Sequence, residues 1–562
     1  MKKVLSIVLC MALAIGVILV GCSQQQPSSD AETENETSGE NTANTGSDVT
    51  VSPAGTFPLV KDKITFRILT IQSPMVEDYN TNKLTKYMED KTNVHIEWDL
   101  VPQKDAMTKV NLVLASNQDL PDIFMGIEMG NDMLVKYGSQ GTFVALNDYI
   151  DKYGVEFKKV LEYPGFESLR QEISSADGKI YTLPKVSDPY NVRWGQKMWI
   201  NEKFLSAVGM DMPKTTDDFY NALKAFKEKD PNGNGKADEI PLAGAITGWH
   251  TNIDGFIMNA FIYNDSAGRF VVNNGKVDIV YNKPEWRDGL AYMAKLCAEG
   301  LLDPVSFTQD NAQLTQLADN PDAPILGAAP AGTSLGFSNI ANQRWLDYAA
   351  VPPLKGPKGV QLSGYYLPIP QNKFVITKAC KYPEVAYRWA DLLYSEEASI
   401  WSRWGEPGVD WREPKEGELG INGKPAVIVP ILKWGSIQNS HWQFENPGFT
   451  PDRLQSGQAW DGDPNNPERR WYVETQEKYD GFEPPVDIIL PPLAFTADEA
   501  TEYNELKVTI NDYVKESIAR FVTGDMNIDK DWEDYISQLD DLGLARYLEL
   551  TQTAYDRQYG NK

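Results

Sequence analysis

ITFRILTIQSP, residues 64–74, is a β-branched, apolar run that stops at Gln72-Ser73-Pro74, and it reads as a strand ending in a turn. A helical pattern follows, with Leu84, Tyr87 and Met88 on one face and Lys91-Thr92-Asn93 at its end. Next come a second strand, VHIEWDLV (94–101), and a helix carrying Met107, Val110, Leu114 and Ala115. That helix runs into ASNQDLPDIFMG (115–126), where Asp122-Ile123-Phe124-Met125 is a buried strand stopped by Gly126. Strands alternating with helices predict an α/β domain with a largely parallel sheet. In such sheets ligands bind beyond the carboxyl ends of the strands, which puts Gln72 and Glu128 at a binding edge.

Toward the N-terminus the chain opens MKK, runs apolar from Val4 to Val20, and reaches Gly21-Cys22 before a serine- and glutamine-rich stretch. A charged start, an apolar core and a small residue before a cysteine form a lipoprotein signal peptide over residues 1–21. Cys22 is then the lipidated N-terminus, attaching the protein to a bilayer without spanning it. Residues 22–58, poor in apolar side chains, are expected to be a disordered tether.

Across 562 residues, 79 acidic side chains face 53 basic ones, a formal charge of −26. Such a field repels polyphosphate, so no nucleic acid is expected as a partner. After export and lipidation only Cys297 and Cys380 remain as free thiols, and their spacing fits neither a disulfide framework nor a zinc site. About 500 residues beyond the tether exceed one core and imply two or more domains. No repeat or heptad calls for self-association, and a monomer is expected.

A second unit begins near Tyr190. Thr215 and Asp218 form a capping box for a helix bearing Phe219, Leu223 and Phe226. Its end leads into DPNGNGKADE (230–239), in which Asp230, Asn232, Asn234, Gly235 and Asp238 occupy positions 1, 3, 5, 6 and 9 of a calcium loop, while position 12 is Pro241. The same residues also favour a metal-free Asx-and-glycine turn. Further on lie a helix around Leu290 and Met293, strands at APILGAAPA (323–331) and LPIPQNKFVIT (367–377), a helix from Glu384, and helical stripes through Ile510, Val514 and Phe521 and through Trp532 and Leu539.

The lipobox, the tether, LASNQDLPDIF (114–124), the run from Trp199 to Leu242, WGEPGVDW (404–411) and FVTGDMNIDKDWEDYISQLDDLGL (521–544) together resemble an extracellular solute-binding lipoprotein of the LipO-like branch, which serves carbohydrate ABC importers of Gram-positive bacteria and is related to alginate-binding periplasmic proteins. The resemblance implies a type II periplasmic-binding-protein fold: α/β, two lobes, a ligand cleft and hinge crossings. It implies residues 59–188 in the first lobe, 189–364 in the second with the loop 230–239, 365–410 returning to the first, and 411–562 as an insertion and C-terminal helices mainly in the second. It also implies capture of an oligosaccharide on the outer face of the cell membrane and delivery to ABC permease subunits, with no catalytic residue. In the alginate-binding relatives a similar loop holds structural Ca2+, closed by the adjacent acidic pair. Carried over, the ligands are Asp230, Asn232, Asn234, the Lys236 carbonyl, Asp238 and Glu239.

Sugar sites combine aromatic platforms with planar polar groups. Of fifteen tryptophans, Trp194, Trp249, Trp404, Trp411 and Trp442 fall on loops, as does Tyr365, and these join Gln72 and Glu128 as expected ligand contacts. Trp286, Trp345, Trp389 and Trp532 fall in helical patterns and are assigned to the core. Arg193, Arg403 and Arg412 beside the loop aromatics suit the carboxylates of a uronic sugar, and neutral and acidic cargo both stay open.

Two other classes compete. Gly332-Thr333-Ser334-Leu335-Gly336 matches the nucleophile elbow of hydrolases, with His441 as the available base, and a carbohydrate-active hydrolase would also carry paired carboxylates. A surface adhesion lipoprotein would share the anchor and tether but has no use for a hinge.

Overall fold

The computed structural model describes residues 49–433 and 436–560; the signal peptide, Cys22 and most of the tether lie outside them. Two sheets organise the chain. The first has six strands in the order Gly448–Thr450, Leu183–Ser187, Gln371–Ile376, Ile123–Met125, Ile64–Gln72 and Val94–Pro102. Five run the same way, and Gln371–Ile376 lies antiparallel between Ile123–Met125 and Leu183–Ser187. The second has four strands, Tyr348–Val351, Lys197–Asn201, Leu326–Ala331 and Ile240–Leu242.

The period-2 alternation of the first sheet divides its core. Phe66, Ile68, Ile123, Met125, Phe374 and Ile376 bury one face, whereas Leu69, Phe124 and Val375 bury the other against Val110 and Leu114 of the helix Ala106–Ser116. The expected opening units are found as strand Ile64–Gln72, helix Lys83–Thr92 and strand Val94–Pro102. Asn93 closes the helix in the left-handed conformation, its amide donating to Glu89 O.

A separate core surrounds the second sheet. Trp199, Phe226, Leu242 and Trp286 pack there with Ile510, Val514, Phe521 and Leu539 of the tail helices Ala497–Thr523 and Trp532–Asp541. Helix Thr216–Glu228 carries the expected Thr215/Asp218 capping box. The four tryptophans assigned to the core, Trp286, Trp345, Trp389 and Trp532, are all buried.

The chain passes between the sheets three times: from Ser187 to Lys197, from Val351 to Gln371, and after Thr450 toward the helix Pro467–Lys478. These passages hydrogen-bond to one another. The Asp188 amide donates to Thr450 O at 3.3 Å, the Tyr366 amide to Arg193 O at 2.8 Å, and the Tyr190 amide to Asp452 Oδ1 at 3.0 Å. Within the segment 411–562, expected mainly in the second lobe, Trp442 and the strand Gly448–Thr450 belong to the first. The tail also reaches the first lobe, where Gln558 Nε2 donates to Gln171 O at 2.9 Å.

Candidate ligand cleft

Where the strand ends of the first sheet meet the first two crossings there is a cavity of about 290 Å³. Its wall includes Lys185 and Ser187 from one strand end, Gln371 from the antiparallel strand, Asp188 and Arg193 from the first crossing, Tyr366 from the second, and Phe444. Lys185 Nζ stands 4.9 Å from the centroid of the Phe444 ring. The side-chain oxygen of Gln371 is buried and has no partner among the described residues.

Tyr366 joins this cavity to the second lobe. Its hydroxyl accepts from Gln196 Nε2 at 2.5 Å and donates to Asp265 O at 2.8 Å. The His250 ring lies 5.0 Å from the Tyr366 ring, and Trp249 lies beyond it, 42% exposed and edge-on to Trp471 at 5.6 Å. Trp249 rests on Gly332, where a Cβ would come within 2.0 Å of the indole. That close approach is why GTSLG needs its first glycine here.

Charge is arranged unevenly. Lys373 Nζ donates to Glu445 at 2.9 Å and to Gly126 O at 3.1 Å. Arg193 holds Asp188 with two hydrogen bonds, one of them Nε to Oδ1 at 2.8 Å. Burial depresses the Lys185 ammonium, opposed by Glu445. Beneath the cleft Lys197 is wholly buried, its ammonium bonded to the carbonyls of Asn191 and Trp194, and burial lowers it to about 7. Burial, with that lysine nearby, lowers His250 to about 4.

The expected contacts divide sharply. Gln72, Glu128 and Trp249 are exposed. Trp442 is 0% exposed, packed between Trp98 and Trp389 with its indole donating to Thr85 Oγ1 at 2.9 Å. Trp404 is buried with Ile428 and Leu454, and Trp194 is buried between Tyr190 and Tyr365. Trp411 is half-buried and its indole closes a local turn onto Gly405 O at 3.1 Å. Trp442, Trp404, Trp194 and Tyr365 thus pack into cores, because their loops fold back onto apolar side chains. Sequence reasoning missed Lys185, Gln371 and Phe444, which lie in three segments far apart in the chain and carry no local motif. Of the arginines, Arg193 is held by Asp188 and Arg412 pairs with Glu418 at 2.6 Å. Arg403 lies over the Trp404 ring, and burial lowers it to about 10.

Ser334 sits buried in a 3₁₀ turn at the end of the strand Leu326–Ala331. His441 belongs to the first lobe, where Asn82 and Gln438 donate to its carbonyl. The two halves of the supposed hydrolase pair thus belong to different lobes.

The loop 230–239 folds onto itself. Asp230 accepts from the amides of Asn234 and Gly235, and Asp238 accepts from the side-chain amides of Asn232 and Asn234. Gly233 and Gly235 take positive φ of 71° and 76°. Glu239 Oε2 is buried without a partner, and burial with the nearby Asp230 and Asp238 raises its pKa. Among the described residues no three His, Cys, Asp or Glu side chains are grouped at metal-holding spacing.

Two α/β lobes joined by three crossings, with an aromatic and polar cavity at the junction, define a two-lobed ligand-binding protein. Residues 70–400 match the family model of the bacterial extracellular solute-binding proteins, and the chain belongs to that family. It is a binding protein and not an enzyme. The chain is 28% identical to the fructooligosaccharide ABC transporter substrate-binding protein FusA of Streptococcus pneumoniae over 90% of this chain and 93% of that one. FusA solved in complex with kestose superimposes with a TM-score of 0.70 at 27% identity, over 89% of this chain and all of that one. An EF-hand mutant of FusA superimposes equally well. Lipoprotein LipO of Bacillus subtilis is 29% identical over 63% of this chain and 68% of its own. The alginate-binding protein AlgQ2, solved without calcium ion, shares the fold over 88% of this chain and 98% of its own, at a TM-score of 0.62 and 22% identity.

Proposed function

We propose that this chain is the substrate-binding lipoprotein of an ABC importer. It takes an oligosaccharide into the cleft between its lobes and delivers it to membrane permease subunits. The observation that carries this reading is the cavity at the crossings, where the Phe444 and Tyr366 rings stand beside Gln371, Lys185 and Ser187. Ring faces suit the C–H side of a sugar and the planar amide suits its hydroxyls. The similarity to FusA along nine-tenths of the chain supports an oligosaccharide as the cargo. The lipobox cysteine, Cys22, and the likeness to LipO support a lipid anchor on the outer face of the cell membrane.

The loop 230–239 is read as a structural Ca2+ site. Its donors suit a hard cation: three carboxylates, two amide oxygens and the Lys236 carbonyl, with Glu239 Oε2 buried and unmatched. When bound, calcium would neutralise the mutual repulsion of Asp230, Asp238 and Glu239. The chain's own part is to present these oxygens between the helix Thr216–Glu228 and the strand Ile240–Leu242.

Isothermal calorimetry of residues 49–562 against neutral and uronic oligosaccharides, with product analysis after each titration, tests the proposal. One-to-one binding with intact sugar supports it. Absence of binding across the panel, or cleaved sugar, defeats it.

A further inference from the structure

We propose that Lys185 selects the charge class of the cargo, and that the oligosaccharide held at the crossings carries a carboxylate seated on this ammonium. The proposal rests on the oligosaccharide-receptor reading above and deepens it.

Lys185 lies on the strand Leu183–Ser187 and lines the cavity from the first-lobe side. Among the described residues no carboxylate stands within ion-pair distance of its Nζ. The other charges nearby are matched: Lys373 with Glu445 at 2.9 Å, and Arg193 with Asp188. A half-buried ammonium that feels Glu445 and Glu128 only from beyond ion-pair distance has lost part of its hydration and gained no ion pair in return. Phe444 covers one side of it at 4.9 Å, which holds the charge in place without neutralising it. The open side faces the cavity.

The other walls fit the rest of an acidic sugar. Tyr366 and Phe444 line the wall with aromatic side chains, and the unpartnered oxygen of Gln371 is an acceptor for a hydroxyl. Asp188 also lines the cavity, but its carboxylate is spent on Arg193, which blunts its repulsion of an anionic ligand. A neutral sugar gives Lys185 only hydroxyl oxygens, whereas a carboxylate gives a charge-assisted bond of roughly twice the strength. The arginines singled out from sequence do not fill this role, because Arg193 and Arg412 are already paired with carboxylates of the chain.

The test uses matched pairs of equal length and linkage: trigalacturonic acid with its carboxyl-reduced counterpart, and a glucuronic-acid-containing trisaccharide with its neutral form, alongside kestose. Affinities are measured by calorimetry at low and moderate salt for the unmodified protein, Lys185→Met and Lys185→Arg. The acidic member is expected to bind about tenfold or more tightly, one charge-assisted bond's worth. In Lys185→Met that ratio should fall to within about twofold, in Lys185→Arg it should persist, and salt should shrink it in the unmodified protein. Because the readout is a ratio within one protein, a general loss of fold does not imitate it, and thermal melts of both variants check folding directly. Equal or tighter binding of the neutral members or of kestose by the unmodified protein overturns the proposal and leaves the receptor reading standing. So does an acidic preference that survives in Lys185→Met. No binding of any member would sink the receptor reading and this inference with it.

Discussion

The loop 230–239 and the cavity at the crossings are both built from polar side chains on a rigid frame, yet they differ in how the chain assembles them. Every oxygen of the loop comes from ten consecutive residues, and the turn geometry follows from Asp230, Gly233 and Gly235 at their fixed offsets. The cavity draws on Lys185, Arg193, Tyr366, Gln371 and Phe444, which no local rule brings together. Only the path of the chain through three crossings does so. Local sites announce themselves by spacing; non-local ones depend on which way each side chain faces.

Two tryptophans divide along the same line. Trp442 and Trp249 look alike in sequence, each a tryptophan on a polar loop beside a histidine. Trp442 is entirely enclosed, and Trp249 is 42% exposed. Truncating an enclosed indole to alanine costs about 3–5 kcal/mol. Trp442→Ala should therefore lower the urea midpoint strongly, whereas Trp249→Ala should cost about 1 kcal/mol or less and instead weaken oligosaccharide binding about tenfold. Equal destabilisation by the two variants would contradict the assignment of Trp442 to the core.

The loop offers the next largest effect. A cation that binds only the folded chain stabilises it by about 2.7 kcal/mol at a hundred times its dissociation constant. Melting in millimolar calcium should thus occur several degrees above melting in EDTA. Asp230→Ala should erase the difference. A melting temperature indifferent to calcium would leave the loop as the self-bonded turn that its Asn232 and Asn234 amides already form with Asp238.

A pH measurement probes the seam between the lobes. His250 is held near 4 by burial and by Lys197, below its ordinary 6.5. Between those values the unfolded chain binds the proton and the folded one does not, so stability is intact above 6.5 and is lost as pH falls toward 4. The contribution amounts to about 2 kcal/mol between pH 7.5 and pH 5. His250→Gln should flatten the acid limb of the stability curve by that amount. An unchanged limb would show that His250 is not held as a buried, neutral ring.

Much of the fold was readable because its signals are local. The strand Ile64–Gln72, the helix Lys83–Thr92, the capping box at Thr215 and the stripe through Ile510, Val514 and Phe521 each rest on periodicity or a cap within one element. Of the site, only the exposure of two candidate residues was readable, and neither of them lines the cavity. Gln72 and Glu128 follow strand ends, and an α/β sheet exposes such positions regardless of what the rest of the chain does. The burial of Trp194, Trp404 and Trp442 was not readable, because a loop residue's burial is decided by the element it folds against. The strand Gly448–Thr450, three residues with no strand-like length, could not reveal that it would join the first sheet.

The smallest expected effect lies in the pair Tyr365-Tyr366, where one step along the chain decides the role. Tyr365 points into the crossing, 9% exposed, its ring 5.1 Å from Trp194, and its hydroxyl accepts one long bond of 3.4 Å from Arg193. Tyr366 lines the cavity and its hydroxyl ties Gln196 to the Asp265 carbonyl. In an extended segment successive side chains face opposite ways, so sequence names the dipeptide but not the member that meets the ligand. Tyr365→Phe removes one weak hydrogen bond and should change stability by about 0.5 kcal/mol, leaving oligosaccharide affinity within twofold. Tyr366→Phe removes the hydroxyl's contacts with Gln196, the Asp265 carbonyl and His250, and should weaken binding several-fold while the melt shifts only slightly. If the two variants exchanged these behaviours, the ring facing the cargo would be Tyr365, and the second crossing would have to be rotated by one residue in the bound state.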